Sequence, residues 1–468
     1  MRKREIQLAY IILTLICIYH TQLFAQEAPI RGVWIWGQTF TSSNTQTIIN
    51  KLADNNVNEI YLLVKGTSGT KTDATKITDI ITRAHAKSIK VHLWYIVFQD
   101  NAYVDANPNA HVYHCPKPDV SVRPYRMNTS AVNPFYPGYK KYVLNNIGYF
   151  LNNFDCDGIH LDNIRYDHLV YSFDTYSLKK AASLGCDTTR LLGFFDTAAA
   201  YVANAEGNGF INAYSNKDPD VVTWTNMRKN VVAEYISAIR DTIEKIKPGI
   251  KLTAAYMPEG AYSPNYSDVH YGQNYAEHST LLDMISPMAY FKSYGKKTSW
   301  LKSVTQSAIN RVVSTCKIST GVQAFDNVTP TELGEQISYS MEGGSYGVLI
   351  FRYGTITTDG WTVIKSKFEE ILTANMTTTV DDFAPLKQNF PNPFCTTTEI
   401  SFKLTEHCTV SLNIYDAQGK LIREEINSKM NPGDYKVVFD GSNLPAGLYF
   451  YKLNIGGKNS THKMILKK

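Results

Sequence analysis

Charge is scarce in this chain. Only 19% of its 468 residues are Asp, Glu, Lys or Arg, too few for a disordered or nucleic-acid-coating polymer. The net charge of +5, from 47 basic and 42 acidic residues, gathers into no basic stripe, so no nucleic acid is expected as a partner. No stretch reaches about 18 continuous apolar residues, so no transmembrane segment is expected. C-x-x-C and H-E-x-x-H are both missing, which argues against a zinc site. His111 and His114 form an H-x-x-H pair on a proline-rich loop, and Asp100, Asp105 and Asp119 lack calcium-loop spacing. Neither a metal nor a cofactor is expected. No glycine-rich turn follows the first strand candidate, which disfavours a doubly wound nucleotide fold.

Aromatic residues, by contrast, are plentiful at 12%, with 31 Tyr and 6 Trp. Their flat apolar faces and polar edges suit sugar rings. The N-terminus reads as an export signal over residues 1–25. Arg2, Lys3 and Arg4 precede an apolar run from Ala9 to Tyr19, too short to span a bilayer, and Leu23-Phe24-Ala25 resembles a cleavage site. Ile16 before Cys17 is not the small residue a lipobox wants. Export permits disulfides among Cys115, Cys156, Cys186, Cys316, Cys395 and Cys408. Cys115 and Cys186 fall in loops over one face and are candidates for pairing, while Cys156 reads as a core thiol.

From residue 31 short β-like runs alternate with helical segments eight times. The strand candidates are Arg31–Gly37, Asn58–Gly66, Lys90–Phe98, Asp157–Tyr166, Ile250–Glu259, Met284–Phe291, Ile318–Phe325 and Tyr346–Gly354. Runs such as Ile60-Tyr61-Leu62-Leu63-Val64 are apolar throughout, as strands covered on both faces are. Helical period fills the gaps. Val231, Ile236, Ile239, Ile243 and Ile246 share one face before Pro248-Gly249, and a single helix is expected over Asp268–Leu282. Residues 26–374 are thus expected to form a TIM (β/α)8 barrel. Long loops after the third and fourth strands, Gln99–Gly138 and Asp167–Thr225, would shape a cleft at its C-terminal mouth. A polar linker, 375–384, leads to residues 385–468, where short alternating runs and turns such as Asn431-Pro432-Gly433-Asp434 predict an immunoglobulin-like β-sandwich.

The last 84 residues resemble the type A sorting domain of type IX secretion substrates. The resemblance is carried by Gln388-Asn389-Phe390-Pro391-Asn392-Pro393-Phe394, Leu444-Pro445-Ala446-Gly447-Leu448-Tyr449 and the terminal Lys463-Met464-Ile465-Leu466-Lys467-Lys468. It implies the type IX secretion machinery as a partner, export through the periplasm, and a secreted or cell-surface location. The barrel resembles glycosyl-hydrolase-like family 10. The matching pieces are Arg31-Gly32-Val33-Trp34-Ile35, Asp157-Gly158-Ile159-His160-Leu161-Asp162, Met227-Arg228-Lys229-Asn230-Val231, Leu282-Asp283-Met284-Ile285-Ser286-Pro287-Met288-Ala289-Tyr290 and Gly321-Val322-Gln323-Ala324-Phe325. The resemblance implies action on a polysaccharide or cell-wall glycan. That family's fourth strand commonly ends in two acids, whereas Asn163 follows Asp162 here.

Glycoside hydrolysis needs two carboxylates across the scissile bond. Asp162, ending the fourth strand candidate, is expected as nucleophile or stabiliser, and Glu259, ending the fifth, as general acid/base. The segment GIHLDNIRYDH also looks like the fourth strand of α-amylase-type barrels, with His160 in place of an Arg. Arg165 is expected to hold Asp162 ionised. Trp36, Arg165, Tyr166, Tyr290, Gln323, Asp326 and Arg352 are the expected substrate-binding residues, and Asp157, at the opposite strand end, is expected to be structural. The alternatives are a catalytically silent glycan-binding barrel and an adhesive surface protein.

Overall fold

The computed structural model describes residues 28–115, 130–378, 386, 388–404, 407–416, 420–455 and 458–468. The expected export signal, Asp119 and most of the expected linker lie outside them. The chain divides into two compact units, one ending at Leu372 and the other beginning at Thr373.

The first unit is a closed parallel barrel of eight strands in sequence order. They are β1 (Ile30–Trp36), β2 (Glu59–Lys65), β3 (Lys90–Ile96), β4 (Gly158–Asp162), β5 (Lys251–Tyr256), β6 (Met284–Pro287), β7 (Lys317–Gln323) and β8 (Gly347–Phe351). β8 pairs with β1, which removes any free edge. Outward-facing Val33, Ile35, Leu62, Val64, Leu161 and Ile350 meet helix residues such as Ile49, Ile80, Ile147 and Ile239 in the main core. Each such side chain contributes roughly 2 kcal/mol by leaving water. The helix Pro219–Ile246 starts on Asp218, whose carboxylate accepts from the Asp220 and Val221 amides, with Pro219 at its first position.

The barrel interior is aromatic, with Trp34, Tyr61, Trp94 and Phe351 packed together. Gly321 makes this possible, because a Cβ there would lie 3.3 Å from the Trp34 ring and 2.9 Å from the Pro287 carbonyl. His160 sits among these rings. Trp34 Nε1 donates to its Nε2 at 3.1 Å, so Nδ1 carries the proton and donates to Thr253 Oγ1 at 2.8 Å. Burial holds its pKa well below the usual imidazole value, helped by nearby His92. Asp157 ties the barrel floor, accepting from His85 Nε2 and the Val91 amide.

The long loop after β4 folds as a small helical insertion. Leu169, Phe173, Phe195, Phe210 and Trp224 give it a core of its own. Cys115 and Cys186 both contribute to that core, and no disulfide joins the two, so the candidate pairing does not form. The region expected as one helix from Asp268 is broken into Pro264–Tyr271 and Tyr275–His278. Gly272, at φ 64°, ends the first piece in the left-handed conformation a side chain disfavours.

The second unit holds β9 (Thr397–Leu404), β10 (Cys408–Asp416), β11 (Leu421–Met430), β12 (Gly433–Asp440), β13 (Gly447–Ile455) and β14 (Lys458–Leu466). One sheet has the order β11-β10-β13-β14 and the other pairs β12 with β9. Ile400, Phe402 and Phe439 from one and Leu412, Ile414, Tyr451 and Met464 from the other share a single core, the sandwich arrangement.

Candidate active site

The C-terminal mouth of the barrel holds a cavity of about 290 Å³. Its walls include Trp34, Trp36, Trp94, Met288, Tyr290 and Phe351, and its charged lining residues are Asp162 and Arg165. The register explains Asp162. It pairs with Ile96 on β3, so Trp94, two residues earlier, shares its inward face. Trp94 Nε1 donates to Asp162 Oδ2 at 3.1 Å, and the Asn163 amide donates to Oδ1 at 2.6 Å.

Immediately after Asp162 the chain turns through Asn163, at φ 46°, a conformation Asn tolerates better than most residues. The Asn163 side chain donates to Gln99 Oε1 at 3.2 Å and accepts from Arg165 Nη2 at 2.7 Å. Arg165 Nη1 also donates to Asp167 at 2.9 Å. The guanidinium is therefore spoken for by Asn163 and Asp167. Burial raises the pKa of Asp162, and the pull of Arg165 only offsets part of this. The expectation that Arg165 depresses the pKa of Asp162 is corrected to this extent: its pull is there, but desolvation outweighs it and the net shift is upward.

Glu259 sits differently from its expected place. β5 ends at Tyr256, and Pro258, which has no N–H to donate, precedes a short helix that opens with Glu259. The carboxylate is buried and accepts from Tyr294 OH at 3.1 Å and Tyr271 OH at 3.3 Å. Its pKa is raised by burial, with the two tyrosine hydrogen bonds and Arg165 opposing. Glu259 is not among the residues lining the Asp162 cavity. The field of Arg165 reaches both carboxyls.

Of the expected binding residues, Trp36, Arg165 and Tyr290 line the cavity. Arg352, just past β8, lies flat against Trp36 at 3.5 Å from the ring centroid. The others face elsewhere. Tyr166 is buried beneath the Arg228 guanidinium, 4.1 Å away. Gln323 is wholly buried. Its Oε1 accepts from the Lys292 amide and its Nε2 reaches Ser293 and Asp326. Asp326 thus caps that amide on a left-handed turn. These side chains brace the loops after β4, β6 and β7 because their polar groups are taken by backbone and neighbours.

Trp34 and Trp94, placed near the C-terminal strand ends by the sequence, were not among the expected binding residues, although both line the cavity. Strand alternation carries the signal: Trp34 has the parity of Trp36, and Trp94 that of the residue paired with Asp162. Arg228 is a further residue whose role only the fold reveals. Wholly buried, it donates to the Val269, His168 and His270 carbonyls, joining the loop after β4 to the segment that carries Tyr271. Among the described residues no group of three His, Cys, Asp or Glu is placed to hold a metal ion. No helix of the described residues is long and apolar enough to cross a membrane.

Residues 29–338 match the family model described as glycosyl hydrolase-like 10. The chain belongs to the glycosyl hydrolase-like 10 family. Residues 388–467 match a secretion system C-terminal sorting domain, which indicates secretion or attachment at the cell surface. Among solved structures, the PgaB (BpsB) glycoside hydrolase domain from Bordetella bronchiseptica is similar at 13% identity and TM-score 0.53, over 73% of this chain and 98% of that one. The catalytic domain of a β-amylase from Paenibacillus polymyxa matches at 11% identity and TM-score 0.51, over 74% and 97%. A β-galactosidase from Bacillus circulans sp. alkalophilus matches at 13% and 0.51, over 74% and 56%. At these identities the likeness speaks for the barrel fold. An S-layer-related protein from Niallia circulans is 26% identical over 167 residues, 35% of this chain and only 10% of that protein. The match therefore spans about a tenth of that curated relative's length.

Proposed function

We propose that the protein is an exported glycoside hydrolase that cleaves a polysaccharide or cell-wall glycan at the mouth of its barrel. The supporting observation is Asp162, a carboxylate on the floor of a cavity walled by Trp34, Trp36, Trp94 and Tyr290. Aromatic faces hold sugar rings, and a carboxylate beneath them can stabilise or trap the oxocarbenium-like centre. Trp94 and the Asn163 amide fix the Asp162 oxygens in place. Glu259, whose proton is favoured by burial, is the second carboxyl in this reading and acts as acid/base. Passage through the periplasm by the type IX secretion machinery accompanies it, on the strength of the sorting domain.

One observation favours a second reading, a glycan-binding barrel without turnover. Glu259 is held by two tyrosines away from the cavity lining, and Asn163 stands beside Asp162 without a charge. Reducing-end release from a panel of cell-wall, plant and algal glycans separates the two. Wild type should release sugar, and Asp162→Asn should lose about a thousandfold or more in rate. Equal release by both would remove Asp162 from the chemistry. Binding without release by either would establish the silent barrel.

A further inference from the structure

We infer that the glycan taken by this mouth is acidic, and that Arg352 on Trp36 reads a carboxylate or sulfate ester on it. This rests on the mouth being the glycan site, as proposed above. The Arg352 guanidinium stacks 3.5 Å from the Trp36 ring centroid, and Trp36 is itself a wall of the cavity. Its backbone is anchored by Thr355, whose hydroxyl donates to the Arg352 carbonyl at 2.9 Å. Gly354 leaves the guanidinium its room, since a Cβ there would approach Nη1 to 2.9 Å.

What the guanidinium lacks among the described residues is a counter-charge. No carboxylate pairs with the Arg352 side chain among the described residues. The other arginine of the mouth, Arg165, is by contrast neutralised by Asp167. A planar fork of donors, half-exposed and pre-oriented on an aromatic ring, fits a two-oxygen anion edge-on. Structural arginines of this protein are engaged otherwise: Arg240 and Arg190 close on aspartates, and Arg228 donates to three backbone carbonyls. The cavity's one carboxylate, Asp162, is already occupied by Trp94 and the Asn163 amide. There is also space for a neighbouring sugar. A polar groove of about 280 Å³ shares Leu63 and Gly66 with the cavity and is lined by Gln38, Ser68, Lys71, Asp73 and Lys76, two cations to one carboxylate.

Affinity gel electrophoresis tests this with three soluble polymers: polygalacturonate, the same polymer after carboxyl reduction, and a sulfated galactan. The full chain carrying Asp162→Asn is used so that nothing is consumed. Retention by one acidic polymer should exceed retention by the carboxyl-reduced one by about tenfold, the worth of a charge-assisted pair. Arg352→Gln should abolish that preference, and Arg352→Lys, which keeps the charge but not the fork, should recover part of it. Which acidic polymer is retained distinguishes carboxylate from sulfate. Equal retention of acidic and neutral polymers, or an acid preference that survives Arg352→Gln, overturns the inference. Asp162-dependent cleavage of a neutral glycan without acid preference would sink the inference and leave the hydrolase standing. Retention of an acidic polymer that wild type never cleaves would do the reverse.

Discussion

Asp162 receives hydrogen bonds from Trp94 and the Asn163 amide and still has a raised pKa, because its oxygens have lost most of their water. The sign of the consequence is fixed by linkage. A carboxyl whose folded-state pKa lies above its unfolded value binds more protons when folded, so its contribution to stability falls as pH rises through that window. At neutral pH the ionised group is a burden that Asn does not carry. Asp162→Asn should therefore melt above wild type at pH 7, and the difference should shrink as pH falls through the raised folded-state pKa toward the ordinary carboxylate value of 3.8. Calorimetry across that range checks it, and a variant that melts lower at pH 7 would refute it. Stability surrendered at a reacting group is the expected mark of a working site. Arg228 shows the opposite solution: a buried cation satisfied by three carbonyls and a tyrosine face, its pKa pushed down to about 10 by burial.

At the scale of elements, the β8–β1 seam closes the barrel, and Gly347 sits in it. A Cβ there would come 2.1 Å from the Ile30 carbonyl oxygen and 2.4 Å from the Ile30 nitrogen. Both are backbone atoms in paired strands and cannot swing aside. Gly347→Ala should cost roughly 3 kcal/mol or more, read as a drop in the urea midpoint of the barrel unit. The strand starts were legible because apolar runs such as residues 60–64 need cover on both faces. Strand ends were less so, since they are set by what the following loop does. β5 was expected to run to Glu259 but stops at Tyr256, ahead of Pro258. The Asp268 helix was broken by Gly272, whose left-handed turn packs against the Arg228 backbone. Within the site, Asp162, Trp36 and Tyr290 were readable from motif and strand position. Gln323 has the same kind of position, yet it turns to the loop after β6, because its fate depends on Lys292 and Ser293, about 30 residues away in sequence. Only tertiary structure supplies that partner.

For the whole molecule, the two units carry separate cores, and among the described residues no sheet draws strands from both. Removing residues 373–468 should leave the melting temperature of the barrel and any glycan turnover unchanged while the chain fails to reach the cell exterior. Fractionation of cells expressing the truncated chain, together with its melting curve, reads both outcomes. A barrel that loses its fold on truncation would refute the independence of the units.

The buried cysteines bear on how such a chain survives outside the cell. Cys115, Cys156, Cys186 and Cys316 are all buried thiols, and Cys115 and Cys186 share the insertion core without bonding. With no disulfide between Cys115 and Cys186, the insertion core is held by packing and its formation needs no oxidant. The same arrangement sets the manner of its end. Once the barrel opens in air, sulfurs that packing had hidden meet one another in the wrong pairs, so heating becomes a one-way process whose onset marks the loss of packing.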